Sequence, residues 1–322
     1  MPYTITQVAE ILGVHPRTLQ RWEASGKVPK VARDYKGDRH YTDDDLAQLR
    51  RFKSTETVSS AAPTRRIIAV VNQKGGVGKT TTSINLGAAL ATLKKRVLIV
   101  DLDPQGHATI GLGIDGFALK ETVRDCLVDL KKPLSSVIVE TATPNLHLAP
   151  TNILLSTAER EIPVVAQTIA LSRALERVTD RYDYILIDCA PSLGLLTTNA
   201  FVASTEIVIP VEPEYYALVG IQQVLSSIAM VRDTGVQTSV RGVLLTRYDS
   251  RKSLTRESEK TINGYFGDVV FKTRIRQNVK LAEAPAAGKT IFQYDPDSNG
   301  AHDYLAVAKE LIAQEEPLAL VA

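Results

Sequence analysis

From residue 66 to about 247 the chain repeats one hydropathic figure. A short, continuous apolar run is followed by a longer stretch in which apolar positions recur every three or four residues. The runs IIAVV, VLIV, YILI, IVIPV and VLL are too short for helices and too uniformly apolar for half-exposed strands, so they read as strands buried on both faces. The intervening TTSINLGAALATL and LSRALERVTDRY carry amphipathic helical spacing. Strands alternating with helices predict an α/β fold, a doubly wound and mostly parallel sheet.

The figure is interrupted at 54–66, where STETVSSAAPTRR loses all periodicity and fills with Ser, Thr, Ala and Pro, as a linker does. It divides a segment of residues 1–53 from a domain of residues 67–322. In the first segment, Thr6 to Gly13 predicts a short helix capped by Thr6 and ended by Gly13. Pro16 suits the first turn of a second helix, and Gly26 its end. Val8, Ile11, Leu12, Leu19 and Trp22 then share a small core, which turns Arg17, Thr18 and Arg21 outward. Lys36-Gly37 can turn a hairpin between Val31 and Tyr41, and Thr42 with Asp45 has the spacing of a capping box.

Composition changes the picture little. A net charge of +2 from 38 basic and 36 acidic residues carries no global nucleic-acid signature, so such binding would come from local patches. Cys126 and Cys189 stand at no metal-ligand spacing and build no disulfide framework. With no signal peptide and no apolar run of 18 residues, a cytoplasmic protein is expected.

The chemistry concentrates in NQKGGVGKTTT, Asn72 to Thr82, which follows the strand IIAVV and opens a helix. Gly75, Gly76, Val77 and Gly78 let successive backbone N–H groups curl around phosphate oxygens, and the helix N-terminus adds its partial positive charge. Lys79 reaches the outer phosphates, the Thr80 hydroxyl can ligate Mg²⁺, and Thr81 completes the cradle. One lysine suffices for this, and Lys74 is a second. Asp103 and Asp188 stand at the ends of VLIVDLD and YILID, where carboxylates in such sheets meet the ligand: one can hold Mg²⁺ through water and another can orient an attacking water. Asp101 can instead brace a loop.

Together KGGVGKTTT, DLDPQGHAT, ILIDCAPSLG and NVKLAEAPAAGKTIFQYDPDSNGA resemble the ParA/MinD family of ATPases, and within it the ParA-type, Soj-like partition branch. The resemblance implies ATP and Mg²⁺ as ligands and a homodimer that sandwiches two nucleotides. Lys74 would cross to the other subunit's nucleotide while Lys79 serves its own. It also implies Asp103 as the water-positioning carboxylate, Thr80 as metal ligand, Asp188 as a residue holding the metal through water, and slow hydrolysis accelerated by a centromere-binding ParB-type protein. His107 and Cys189-Ala190 depart from the family pattern.

The first segment, ITQVAEILGVHPRTLQRWEASGKVP followed by RHYTDDDLAQLR, resembles the MerR-type winged helix-turn-helix. Arg17, Thr18 and Arg21 would then face bases and phosphates of an operator, with Arg33, Tyr35 and Lys36 of the wing on the DNA backbone. A second basic stretch holds Arg251, Lys252, Arg274, Arg276 and Lys280, and by the partition resemblance it binds nucleoid DNA without sequence preference. Two other readings compete: a transcription regulator with ATP as allosteric ligand, and a MinD-like membrane-positioning ATPase. The latter needs a basic amphipathic C-terminal helix, whereas AKELIAQEEPLALVA is acidic and interrupted by Pro317.

Overall fold

The structure is a computed structural model that describes residues 3–11, 16, 19, 22–23, 28, 31–33, 39–42, 45–46, 48–49, 65–214 and 216–314. The chain forms two compact units, Met1–Thr64 and Arg65–Ala322.

In the smaller unit a helix spans Ile5–Ile11. Its cap is Thr4, not Thr6: Thr4 N donates to Gln7 Oε1 at 2.9 Å and Gln7 N donates to Thr4 Oγ1 at 3.4 Å. The helix thus starts earlier than the sequence pattern places it, because a Thr-x-x-Gln box outcompetes a lone Thr. Strands β1 (Ala32–Arg33) and β2 (Arg39–His40) pair antiparallel where the hairpin is expected. Thr42 N donates to Asp45 Oδ2 at 2.8 Å and Asp45 N to Thr42 Oγ1 at 3.2 Å, as the capping-box spacing requires. Val8, Leu19 and Trp22 are buried together, with Tyr41, Leu46 and Leu49 completing the cluster. Ile11 is not part of this core; it is 44% exposed, at the last position of its helix. Leu12 and Gly13 lie outside the described residues.

The larger unit is built on a seven-stranded sheet. Its strands are β3 (Arg66–Val70), β4 (Val97–Leu102), β5 (Val139–Glu140), β6 (Leu146–Ala149), β7 (Tyr184–Cys189), β8 (Glu206–Val211) and β9 (Ser239–Leu245). Their spatial order is β5-β6-β4-β7-β3-β8-β9. Every pairing is parallel except that of β5 with β6. Alternate residues feed opposite cores. Leu98, Val100, Ile185 and Ile187 enter one layer, while Val97, Ile99, Tyr184 and Leu186 enter the other. That alternation is why these strands are apolar throughout: helices cover both faces.

The Lys79–Thr92 helix differs from its amphipathic reading. Residues Thr82 to Ala91 are all buried, because the Asn299–Ala313 helix packs on the side that the pattern assigns to solvent. A helix covered all round hides its polar positions by bonding them. Asn85, for example, donates to Thr81 O and accepts from Ile291 N.

The chain leaves β3 toward β4 on one side and returns from β7 to β8 on the other, so the order reverses beside β3. Sheets of this kind open a crevice at the carboxyl ends of their strands at that switch point. The phosphate loop leaves β3 at that end.

Candidate nucleotide site

The loop is held open by its backbone. Gly76 and Gly78 have φ of 76° and 87°, the left-handed region where a side chain is strained, and no atom lies within 4 Å of where a Cβ on Gly75 or Gly76 would stand. The Asn72 side chain shapes the entry: its Nδ2 donates to Pro210 O at 2.8 Å while its Oδ1 accepts from Lys74 N at 3.0 Å. Thr246 Oγ1 fastens the far side by donating to Val77 O at 2.7 Å. Neither brace is readable from local spacing, since β8 and the residue after β9 supply the anchoring positions.

The two lysines occupy opposite sides of this loop. Lys79 is 7% exposed, and its Nζ donates inward to Lys74 O at 3.0 Å. Burial pulls its pKa below the ordinary value, against the attraction of Asp188. Lys74 points outward, 44% exposed, in an ion pair with Glu214.

Asp188 and Asp103 act on Lys79, and Asp101 lies beside Asp188. Asp101 and Asp188 are cross-strand neighbours on β4 and β7, both fully buried. Burial raises both pKa values, and the Asp101 charge raises that of Asp188 further. Thr80 Oγ1 donates to Asp188 Oδ2 at 2.8 Å and Ser83 Oγ to Asp188 Oδ1 at 2.8 Å. The motif alone does not mark Ser83, although its i, i+3 spacing from Thr80 puts both hydroxyls on one helix face. Asp101 braces a loop: Thr109 N and Oγ1 donate to its Oδ2 at 2.8 and 2.6 Å. Asp103 is 6% exposed and accepts from Gln105 N at 3.0 Å.

Buried carboxylates outnumber the one buried ammonium, which suits a divalent cation at the Thr80 hydroxyl. No group of three His, Cys, Asp or Glu among the described residues could cage a metal. The Thr80 hydroxyl beside Asp188 is a donor set that would fit Mg²⁺ carried in with phosphates, which keeps waters and takes few protein ligands. Beyond Gly76, Gly78 and Thr81 a cavity of about 300 Å³ extends to Ile275, Asn278 and Leu281, with Tyr304 in its wall. No local motif predicts this extension, because the Ile275–Leu281 wall comes from nearly 200 residues downstream of the loop.

Residues 65–241 match the family model of an AAA domain. Sporulation initiation inhibitor protein Soj of Bacillus subtilis (strain 168) is 50% identical over 250 residues, covering 77% of this chain and 98% of the relative. The chain belongs to the ParA family of ATPases. Chromosome partitioning protein ParA of Caulobacter vibrioides (strain NA1000 / CB15N) is 42% identical over 254 residues, 78% of this chain and 95% of the relative. Among solved structures, cobyrinic acid a,c-diamide synthase from Mycobacterium smegmatis with bound ADP and magnesium has a TM-score of 0.69. It is 32% identical and covers 80% of this chain and 100% of that one. Residues 3–55 match the MerR HTH family regulatory protein.

Four of the five basic residues singled out in this ParA-type domain are matched with acids. Arg251 is 88% exposed and forms a two-pronged pair with Asp249 at 2.8 and 2.9 Å, holding that carboxyl down to about 2. Arg274 pairs with Glu259, Arg276 with Asp303 and Lys280 with Glu283. Lys252 is exposed at the start of the Ser253–Phe266 helix. Arg251, Arg274 and Arg276 line one depression of about 440 Å³ with Tyr248, Gln277 and Asn299.

In the smaller unit Arg33 is exposed on β1, 3.8 Å from Glu23. Arg17, Thr18, Arg21, Tyr35 and Lys36 lie outside the described residues, as does the tail from 315 onward. No helix among the described residues is long and apolar enough to cross a membrane.

Proposed function

We propose that this protein is a DNA-partition ATPase that binds Mg²⁺·ATP at the Gly75–Thr81 loop, closes into a homodimer around two nucleotides, and in that form holds DNA. The observation that carries the reading is the opposed setting of the two lysines. Lys79 is buried in its own loop beside Asp188, whereas Lys74 projects from the outer side of the same loop, where a second subunit's nucleotide can meet it. The Lys79 ammonium and the loop N–H groups bind the phosphates, and the Ile275–Leu281 cavity accepts the nucleoside. Thr80 would ligate the metal and Asp188, which accepts from the Thr80 hydroxyl, would hold it through water, while Asp103 would orient the attacking water. Mg²⁺, when bound, neutralises phosphate charge as the bond to the γ-phosphate breaks.

The phosphate loop carries no base of its own, and slow hydrolysis stimulated by a ParB-type protein belongs to the same reading. The basic surface of Arg251, Lys252, Arg274, Arg276 and Lys280 contacts DNA phosphates. The smaller unit reads an operator through Arg17, Thr18 and Arg21, with Arg33, Tyr35 and Lys36 on the backbone; its MerR-type match favours this added regulatory role. The reading places the protein in the cytoplasm, associated with the nucleoid.

Titration calorimetry and light scattering on two variants test the core of the reading. Lys79→Ala abolishes ATP binding, while Lys74→Ala binds ATP as wild type does but stays monomeric. A Lys74→Ala protein that dimerises normally with ATP overturns the cross-subunit role.

A further inference from the structure

The nucleoside cavity and the basic depression share a wall. Arg276 and Gln277 line both. The wall is a short extended segment bonded beyond the end of β9: Ile275 N donates to Leu245 O at 2.8 Å, Tyr248 N to Ile275 O at 2.9 Å and Gln277 N to Tyr248 O at 3.0 Å. On one side it bounds the cavity that opens from the phosphate loop. On the other it carries Arg274 and Arg276.

Two adjacent residues of the Asn299–Ala313 helix hold this wall and the loop together. Asp303, 7% exposed, accepts from Arg276 N at 2.9 Å, from Arg276 Nε at 3.0 Å and from Arg276 Nη2 at 2.6 Å. One carboxylate thus fixes both the main chain and the guanidinium. Tyr304 is fully buried, lines the nucleoside cavity, and its hydroxyl shares a 3.1 Å hydrogen bond with Thr82 Oγ1 on the helix that begins at Lys79. Neighbouring helical residues point about 100° apart, so this dipeptide reaches the wall with one side chain and the phosphate-loop helix with the other.

We propose that Asp303 and Tyr304 are positioning residues that couple the nucleotide cavity to the basic depression, setting how Arg274 and Arg276 are presented to DNA phosphates according to which nucleotide is bound. The proposal rests on the function proposed above. Packed interiors shift between discrete arrangements rather than deforming smoothly. A segment whose backbone and charged side chain are tied to a single buried carboxylate moves as a unit. Displacement at Ile275 to Leu281 is then delivered to the arginines, with the Asn299–Ala313 helix registering the loop's own position through Thr82.

The test uses the full chain and a fluorescent duplex of scrambled sequence, with affinities measured in ADP and in a non-hydrolysable ATP analogue. Asp303→Asn leaves an acceptor for Arg276 N but removes the charge and one oxygen. In this variant the ratio of duplex affinities between the two nucleotide states falls by at least about fivefold, the lower range of coupling between protein sites. Affinity for the ATP analogue itself holds. Tyr304→Phe removes only a hydroxyl and lowers the same ratio through the other arm, which keeps the question answerable if Asp303→Asn does not fold.

If Asp303 merely neutralised Arg276, its loss would tighten duplex binding equally in both nucleotide states and leave the ratio at its wild-type value. That result overturns the coupling. A wild-type ratio of one overturns the nucleotide-dependent reading itself, and the coupling with it, so the two failures are told apart by the wild-type measurement.

Discussion

At the phosphate loop one ammonium, that of Lys79, is turned inward and buried while Lys74 points out; on the face that carries Arg251, Arg274, Arg276 and Lys280 positive charge is spread out and matched with acids residue by residue. The carboxylates of Asp188 and Asp103 attract Lys79. The surface cations meet Asp249, Glu259, Asp303 and Glu283. The difference separates two kinds of anion binding. A buried ammonium with converging N–H groups selects one ligand in one pose. The guanidinium and ammonium ends on this face stay open to solvent even where, as for Arg276, the acid that holds them is buried, so such a face can meet a phosphate backbone of any sequence at the right spacing, in a salt-dependent way.

The largest effect that tests this contrast lies on the loop side. Asp103→Ala removes the carboxylate proposed to orient water but touches none of the groups that hold phosphate. Turnover of ATP falls by about 100-fold or more, ATP affinity is retained, and the ATP-bound dimer persists. Wild-type turnover in this variant means that Asp103 only supports its own turn, through the Gln105 amide.

The same contrast explains how much of the molecule is legible in its sequence. Gly75 to Thr81 make the candidate site through local backbone geometry, so a short spacing between a strand and a helix is enough to point to it. Asp101 and Asp188 end apolar strands that sit side by side, and strand-end position is enough to mark Asp188. The basic surface is different. Glu259 and Asp303 lie 15 and 27 residues from the arginines they meet, at separations no local pattern encodes. The second basic stretch, from Arg251 to Lys280, therefore overstates the free charge. The burial of the Lys79–Thr92 helix escapes for a related reason, since its cover is the distant Asn299–Ala313 helix.

A smaller effect is expected when the exposed cations are removed. Replacing both Arg251 and Lys280 with Ala weakens binding of the ATP form about equally on every duplex sequence. It flattens the log–log salt dependence by at most about 1.8, or roughly 0.9 for each phosphate no longer neutralised. Asp249 and Glu283 are left without their partners, so repulsion adds to the weakening at low salt. An Arg17/Arg21 double-alanine variant instead loses operator preference and keeps this general binding. If the two double variants exchange these behaviours, the smaller unit is the general DNA clamp and the contrast belongs to the wrong surface.

The smallest effect sharpens the contrast most, because it changes a partner and leaves every cation in place. Glu259 faces Arg274 and also accepts from the Tyr248 hydroxyl at 2.6 Å, while the Arg274 guanidinium lies 5.6 Å from the centre of the Tyr248 ring. Glu259→Gln keeps an acceptor for Tyr248, so the ring stays under Arg274 as a cation–π support. It removes only the opposing charge. If the pair masks Arg274, duplex affinity of the ATP form rises roughly two- to fivefold, the scale of a partly exposed ion pair. The salt dependence then steepens by up to about 0.9 as one more phosphate is neutralised. If binding weakens instead, Glu259 aims the guanidinium at the phosphate rather than competing with it. An acid on this face would then serve to aim its partner, as Asp188 holds the Thr80 hydroxyl at the candidate nucleotide site, and the two regions would differ mainly in exposure.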